Sequence, residues 1–218
     1  MALSVVQYAQ HTADTTCTAT FGAAPTPGNV IVAIATRADS PGGTFTLSGI
    51  PLTLSPYFQA HASFGAMGRF GYRVYQAGDG LSATVSPSGR FALLIAEIAG
   101  LDPAGPVGGF TTKTKINSAT LDISSGPASW SIAGFVTRLR PGGTFAPNVD
   151  TTQIDGISIP LSQGGGILGY GLGGATLGGT QGGTTQDGYW YGGAVVAWNE
   201  PLAAGGDTWV PPMDAVSL

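Results

Sequence analysis

The sequence predicts an all-β protein, an antiparallel β-sandwich of jelly-roll type with very little helix. Three observations carry this. Short runs of strand-forming residues recur roughly every 8–12 residues, the spacing of strands in sandwiches. Turn signals separate them: "PTPGN", "DSPGG", "AGDG", "SPSG" and "RPGG". The 36 glycines and 15 prolines among 218 residues leave no window in which a 3.6-residue apolar period could develop.

In chain order, strands are expected near 3–9, 15–21, 29–37, 44–54, 68–76, 81–86, 90–99, 119–123, 129–138, 155–161 and 189–198. The only helical turn expected is 59–66, "QAHASFGA". The second strand lies in the alternating run "TTCTATF", which makes Cys17 a small core hydrophobe. In "NVIVAIATR", Val30, Val32 and Ile34 share one face and Ile31, Ala33 and Ala35 the other. A strand with apolar residues on both sides is covered on both. The runs "RFALLIAEIAG" and "YWYGGAVVAWNEP" repeat the pattern, so these three are the expected inner strands. The expected core includes Val32, Ile34, Phe91, Leu93, Ile95, Phe135, Val195 and Val196. A faint echo joins the two halves of the chain, since each ends in a long apolar strand, at 91–101 and 192–202.

Length fits one sizeable domain, which would bury about 70% of the unfolded chain's surface. The expected organisation is a single sandwich over 1–202, with a Gly-rich loop near 164–188. A tail over 203–218 would pack on the domain or on a neighbouring subunit. Only 9% of residues are charged and the net charge is −4, which gives no footprint for nucleic acid. The N-terminal stretch has neither a basic region nor an apolar core, so no signal peptide is expected and synthesis is cytoplasmic. No apolar run reaches the roughly 20 residues that span a bilayer, and no membrane partner is expected.

Chemistry-bearing residues are few. Gly169, Gly171 and Gly174 spell G-x-G-x-x-G, the fingerprint of a dinucleotide cradle. The cradle needs a helix N-terminus after it, and "ATLGGTQGGTTQDG" cannot propagate one. Thirteen of the 29 residues from Gly164 to Gly192 are glycine, so a chance match is expected. The glycines then read as a flat loop or weak strand held close to other backbones. His11 and His61 lie near turns, and Asp14 has no spacing that recommends it as their metal partner. The two glutamates, Glu97 and Glu200, are the only candidates for a glycosidase-like pair. Glu97 shares the face of Phe91, Leu93 and Ile95, which suits a strand-end acid hydrogen-bonded to backbone or arginine. No catalytic residue, cofactor or metal is expected. Arg69/Arg73, Lys113/Lys115 and Arg138/Arg140 are spaced to share strand faces, either solvated or docked on an acidic partner.

Three runs also carry a resemblance: "VVQYAQHTADTTCTATFGAAPTPGNVIVAIATRA", "GYRVYQAGDGLSATVSPSGRFALLIAEIAGL" and "YGGAVVAWNEP". Together they resemble small β-sandwich virion structural proteins of tailed bacteriophages, of the minor tail or capsid decoration type. The pattern falls on Thr20, Phe21, Ala24, Pro25, Gly28, Asn29, Tyr72, Arg73, Val74, Gly78, Asp79, Glu97, Gly100 and Leu101. The resemblance implies a non-enzymatic component of a virion, a minor tail or surface protein, with capsid decoration as the alternative. Its partners would be other virion proteins and copies of itself, met through edge strands, Gly-rich loops and the tail. Trp209, Val210 and Met213 are the apolar anchors available in that tail, and Arg138 and Arg140 the basic pair for the same interface. A module binding carbohydrate or a host receptor is the competing reading. Tyr189, Trp190 and Tyr191 would then be the residues that meet a host surface glycan.

Overall fold

Strands with apolar side chains on both faces must lie inside a stack of sheets. Val30–Arg37 and Phe91–Ala99 are of this kind, and seven and eight of their residues respectively are buried. The computed structural model describes residues 2–37, 44–59, 67–87, 89–115, 120–137, 144–158, 165–182 and 191–201. Among them the only regular elements are strands. The first half of the chain supplies β1 (Ser4–Ala13), β2 (Cys17–Thr20), β3 (Val30–Arg37), β4 (Thr46–Gly49), β5 (Thr53–Leu54), β6 (Phe58–Gln59), β7 (Met67–Val74), β8 (Ser82–Ser86) and β9 (Phe91–Ala99). The second supplies β10 (Val107–Lys115), β11 (Thr120–Ser124), β12 (Trp130–Thr137), β13 (Thr144–Pro147), β14 (Thr152–Ser158), β15 (Gly165–Leu172), β16 (Thr176–Gly182) and β17 (Tyr191–Trp198).

These form four antiparallel sheets. Two are large, β1-β9-β3-β7-β5 (with β6 also on β7) and β10-β17-β12-β15-β14, and two are small, β2-β8-β4 and β11-β16-β13. Three apolar cores separate them. Ile31, Ala33, Phe91, Leu93 and Ile95 meet Cys17, Ala19, Ala83 and Val85 between the first small and first large sheets. Val32, Ile34, Phe70, Leu94 and Ile98 meet Ile132, Val136, Leu168, Val196 and Trp198 between the two large sheets. Phe135, Ile167 and Val195 meet Leu121, Ile123 and Leu177 under the second small sheet. The result is four stacked layers, two sandwiches joined through their larger sheets.

The halves repeat each other. Val30 pairs with Val74 and Ile98, and Trp130 pairs with Leu172 and Trp198. From there the two registers run pair for pair to Arg37 and Thr137. In this register Gly68, Phe70, Gly71 and Tyr72 of β7 stand where β15 has Gly166, Leu168, Gly169 and Tyr170. The large sheets overlie each other in opposite strand order, β1 over β14, β7 over β12 and β6 over β10. A pseudo-two-fold axis along the strands therefore relates the halves.

All eight expected core residues are buried. The three inner strands are found in the interior of the large sheets as β3, β9 and β17. Several expectations need correction. The single sandwich is a stack of two, because the faces of β3, β9, β12 and β17 carry more apolar surface than one partner sheet can cover. The strand expected over 44–54 is broken, and its pieces β4 and β5 enter different sheets. Gly49, at φ +93°, and Pro51 turn the chain between them. Of the helical turn 59–66, only Gln59 is described, and it ends the short strand β6. The Gly-rich stretch expected as a loop is, over 165–182, two consecutive strands, β15 and β16, which enter different sheets.

These two strands dispose of the nucleotide fingerprint. Gly169 and Gly171 are strand residues and Gly174 is the turn, at φ +76°. A Cβ on Gly171 would lie 2.2 Å from the Asp150 carbonyl oxygen and 2.5 Å from Leu177 Cδ2. Glycine is there so that a neighbouring backbone can approach. Five strands went unpredicted: the short β6, β10, the short β13, β15 and β16.

Candidate functional site

Most of the described polar side chains that could do chemistry are engaged in holding loops. Glu97 is 1% exposed. Its Oε1 accepts hydrogen bonds from the Thr26 backbone N–H (2.8 Å) and the Asn29 amide (2.6 Å), and its Oε2 accepts one from the Gln7 amide (2.7 Å). Gln7 also bonds both backbone groups of Ala23. The pair thus staples the 22–29 loop to β1 and β9, and all three donors to the carboxylate are neutral N–H groups. Arg73 makes two hydrogen bonds to Asp79, Nε to Oδ2 at 2.9 Å and a terminal nitrogen to Oδ1 at 3.2 Å. Asp79 also accepts the Gln76 N–H, and the Arg73 guanidinium holds its carboxyl below the usual carboxylate range. Arg69 donates to the Ser55 carbonyl and lies over the Tyr57 ring at 4.7 Å. Lys113 donates to the Asp122 carbonyl.

Cys17 and His11 are brought together, Sγ to Nδ1 at 3.6 Å, a proximity that spacing alone does not reveal. It is not a nucleophilic dyad. The thiol donates to the His11 carbonyl at 3.1 Å, and burial pushes it up to about 11, which keeps it protonated. No cluster of three metal-ligating side chains occurs among the described residues.

An open site lies elsewhere, where β1 and β14 form adjacent edges of the two large sheets. Between them runs a groove of about 520 Å³, lined by Val5, Val6, Gln7 and Tyr8 on one side and Thr152, Gln153, Ile154 and Tyr170 on the other. Val6 and Tyr8 are each 52% exposed. Both edges are irregular at this level, with register shifts between Val5 and Gln7 and between Gln153 and Asp155. Such bulges twist an edge away from further pairing. Among the described residues, no Lys, Arg, Asp or Glu lines the groove. Two buried polar atoms without a hydrogen-bond partner lie on residues beside it. These are Asp155 Oδ2, next to Ile154, and Trp130 Nε1, on a ring packed 6.2 Å from that of Tyr170.

Of the residues singled out from sequence, Trp209, Val210, Met213, Arg138, Arg140, Tyr189 and Trp190 lie outside the described residues, as do His61 and the 203–218 tail. Tyr191 opens β17, its backbone paired with Lys115 and Thr137. Glu200 follows β17, which belongs to the large sheet that does not contain Glu97. Sequence reasoning missed Tyr8 and Tyr170. The signal that could have found Tyr170 is the repeated "G-x-x-G-Y" of 68–72 and 166–170. Comparison with protein-family models, with curated proteins and with solved structures gives no match.

Proposed function

We propose that this chain is a non-enzymatic structural component of a tailed bacteriophage virion, a minor tail or surface protein, with capsid decoration as the alternative position. The observation that carries the reading is where the motif residues of the resemblance meet. Glu97, from the "E-x-x-G-L" strand, holds Thr26 and Asn29 of the "AP…GN" loop. Arg73, from "Y-R-V", holds Asp79 of the "GD" turn. Tyr75 and Asn29 tie the two regions together through their backbones, at 2.8 Å. Residues far apart in sequence thus form one structural clasp at the end of the first large sheet. Such a motif preserves a shape and does no chemistry.

The strand order supports the same reading. In a jelly roll the first strand lies beside the last, which lies beside the third, and the second lies beside the penultimate, which lies beside the fourth. We read β1-β9-β3-β7 over β2-β8-β4 as that order, with the fifth strand, here β5 and β6, moved to the edge of the larger sheet. β10-β17-β12-β15 over β11-β16-β13 follows it again. Jelly rolls build viral capsid domains and lectins alike, so this support is analogy at the level of fold.

Quantitative mass spectrometry of particles purified from cells that express the gene in its native context tests the proposal. The chain should copurify at a fixed ratio to the major capsid or tail protein. Tail and capsid fractions separated after disruption would then distinguish the two positions. Recovery only in the particle-free supernatant would refute it.

A further inference from the structure

We infer that the groove between β1 and β14 binds a neutral oligosaccharide. The inference stands whether or not the chain is carried on a particle, because it rests on a comparison the molecule makes with itself. On the opposite side of the pseudo-two-fold axis the equivalent position is closed. There Phe110, which precedes Thr111 as Tyr8 precedes Ala9 in the repeated register, packs on Phe70 (5.9 Å) and Tyr72 (5.4 Å). On the groove side Tyr72 is replaced by Tyr170 and Phe110 by Tyr8. The Tyr8 side chain stands half-exposed, and the space between the sheets stays open. One half uses its aromatic pair to seal the core. The other leaves Tyr8 half in solvent beside a partly buried Tyr170.

The lining selects the chemistry of what enters. The absence of charged side chains among its described lining residues disfavours phosphate, nucleic acid and acidic peptides. Register shifts in both edges break the even spacing of N–H and C=O groups that an added strand would need, which disfavours β-augmentation. What remains is a mixed surface. Two tyrosine rings with Val6 and Ile154 offer apolar faces. The Thr152 hydroxyl, the Gln153 amide, the tyrosine hydroxyls and the edge backbone groups offer neutral donors and acceptors. A sugar ring has this same division, with C–H faces above and below and hydroxyls around the rim. The Gln7 amide is not available to it, being held by Glu97 and Ala23.

Calorimetric titration of the full chain with neutral hexasaccharides of glucose, galactose, mannose and N-acetylglucosamine, each to about 5 mM, tests this. At least one should bind. Tyr8→Ala should then weaken it by about tenfold or more, equivalent to about 1.4 kcal/mol, and Tyr8→Phe by no more than about twofold. Gln153→Ala should also weaken binding. Tyr8→Ala should leave the melting temperature unchanged, since the side chain is half in solvent. Failure of every saccharide to bind overturns the inference, as does binding indifferent to both Tyr8→Ala and Gln153→Ala. Binding of a hexapeptide of alternating threonine and valine in place of any saccharide would reassign the groove to strand addition.

Discussion

Glu97 shows what a single residue can and cannot disclose in advance. Its parity with Phe91, Leu93 and Ile95 is readable from the sequence and puts it on an interior face, and a hydrogen-bonded structural acid follows from that. Its partners Thr26, Asn29 and Gln7 could not be read, because they arrive from other strands and a loop. Cys17 was equally legible as a core residue, and the neighbouring imidazole was not. The environment of Cys17 has a measurable consequence. Burial raises the thiol from 9.0 to about 11, against an opposing backbone hydrogen bond at Leu93. A group whose folded value is raised adds stability below its unfolded value, and loses that contribution as pH rises from 9.0 through about 11. In the same way, alkylation by iodoacetamide at pH 8 should be about a hundredfold or more slower in the folded protein than in urea, the ratio of thiolate fractions set by that shift. Equal rates in the two states would show that Cys17 is not in the core.

Elements were legible in proportion to the side chains they carry. β3, β9 and β17 announce themselves through large apolar residues on a two-residue period. β15 and β16 do not, because glycine removes the side chains that make a period visible, and what holds these strands is close approach by other backbones. β10, "VGGFTTKTK", is mostly polar and edge-placed, and its one packed aromatic, Phe110, sets no period to read. The groove was illegible for a related reason: it is made by two edges, each unremarkable alone. The glycine-rich strands supply the test at this scale. Gly171→Val should cost at least about 2 kcal/mol in urea unfolding, since its side chain must displace the Asp150 backbone and Leu177. Gly109→Ala, on β10 with nothing within 4 Å of the added Cβ, should stay within about 0.5 kcal/mol of the parent. Equal effects would mean that β15 is not pressed against its neighbours.

The whole molecule was legible only as an echo, in the matching long strands that end each half. The repeat itself emerges when the registers are aligned, because few side chains besides the glycines and Tyr72/Tyr170 survive in both copies. The two copies share the core between the large sheets, where Val32, Ile34, Phe70 and Leu94 face Ile132, Leu168, Val196 and Trp198. Separating them would expose both faces at once, so neither half has an independent route to unfolding. Tryptophan fluorescence, which among the described residues reports Trp130 and Trp198 of the second half, should coincide with far-ultraviolet circular dichroism in one urea transition. Two resolved transitions would contradict a shared core. The covalent repeat has one more effect. A dimer of identical subunits about a two-fold axis must show each surface twice, because a substitution in one subunit is a substitution in both. Joined in one chain, position 110 could close with phenylalanine while position 8 stayed open with tyrosine. The chain is therefore directional where a symmetric dimer would be two-sided. Its valence at this position is one, and any greater avidity must come from the number of chains displayed together.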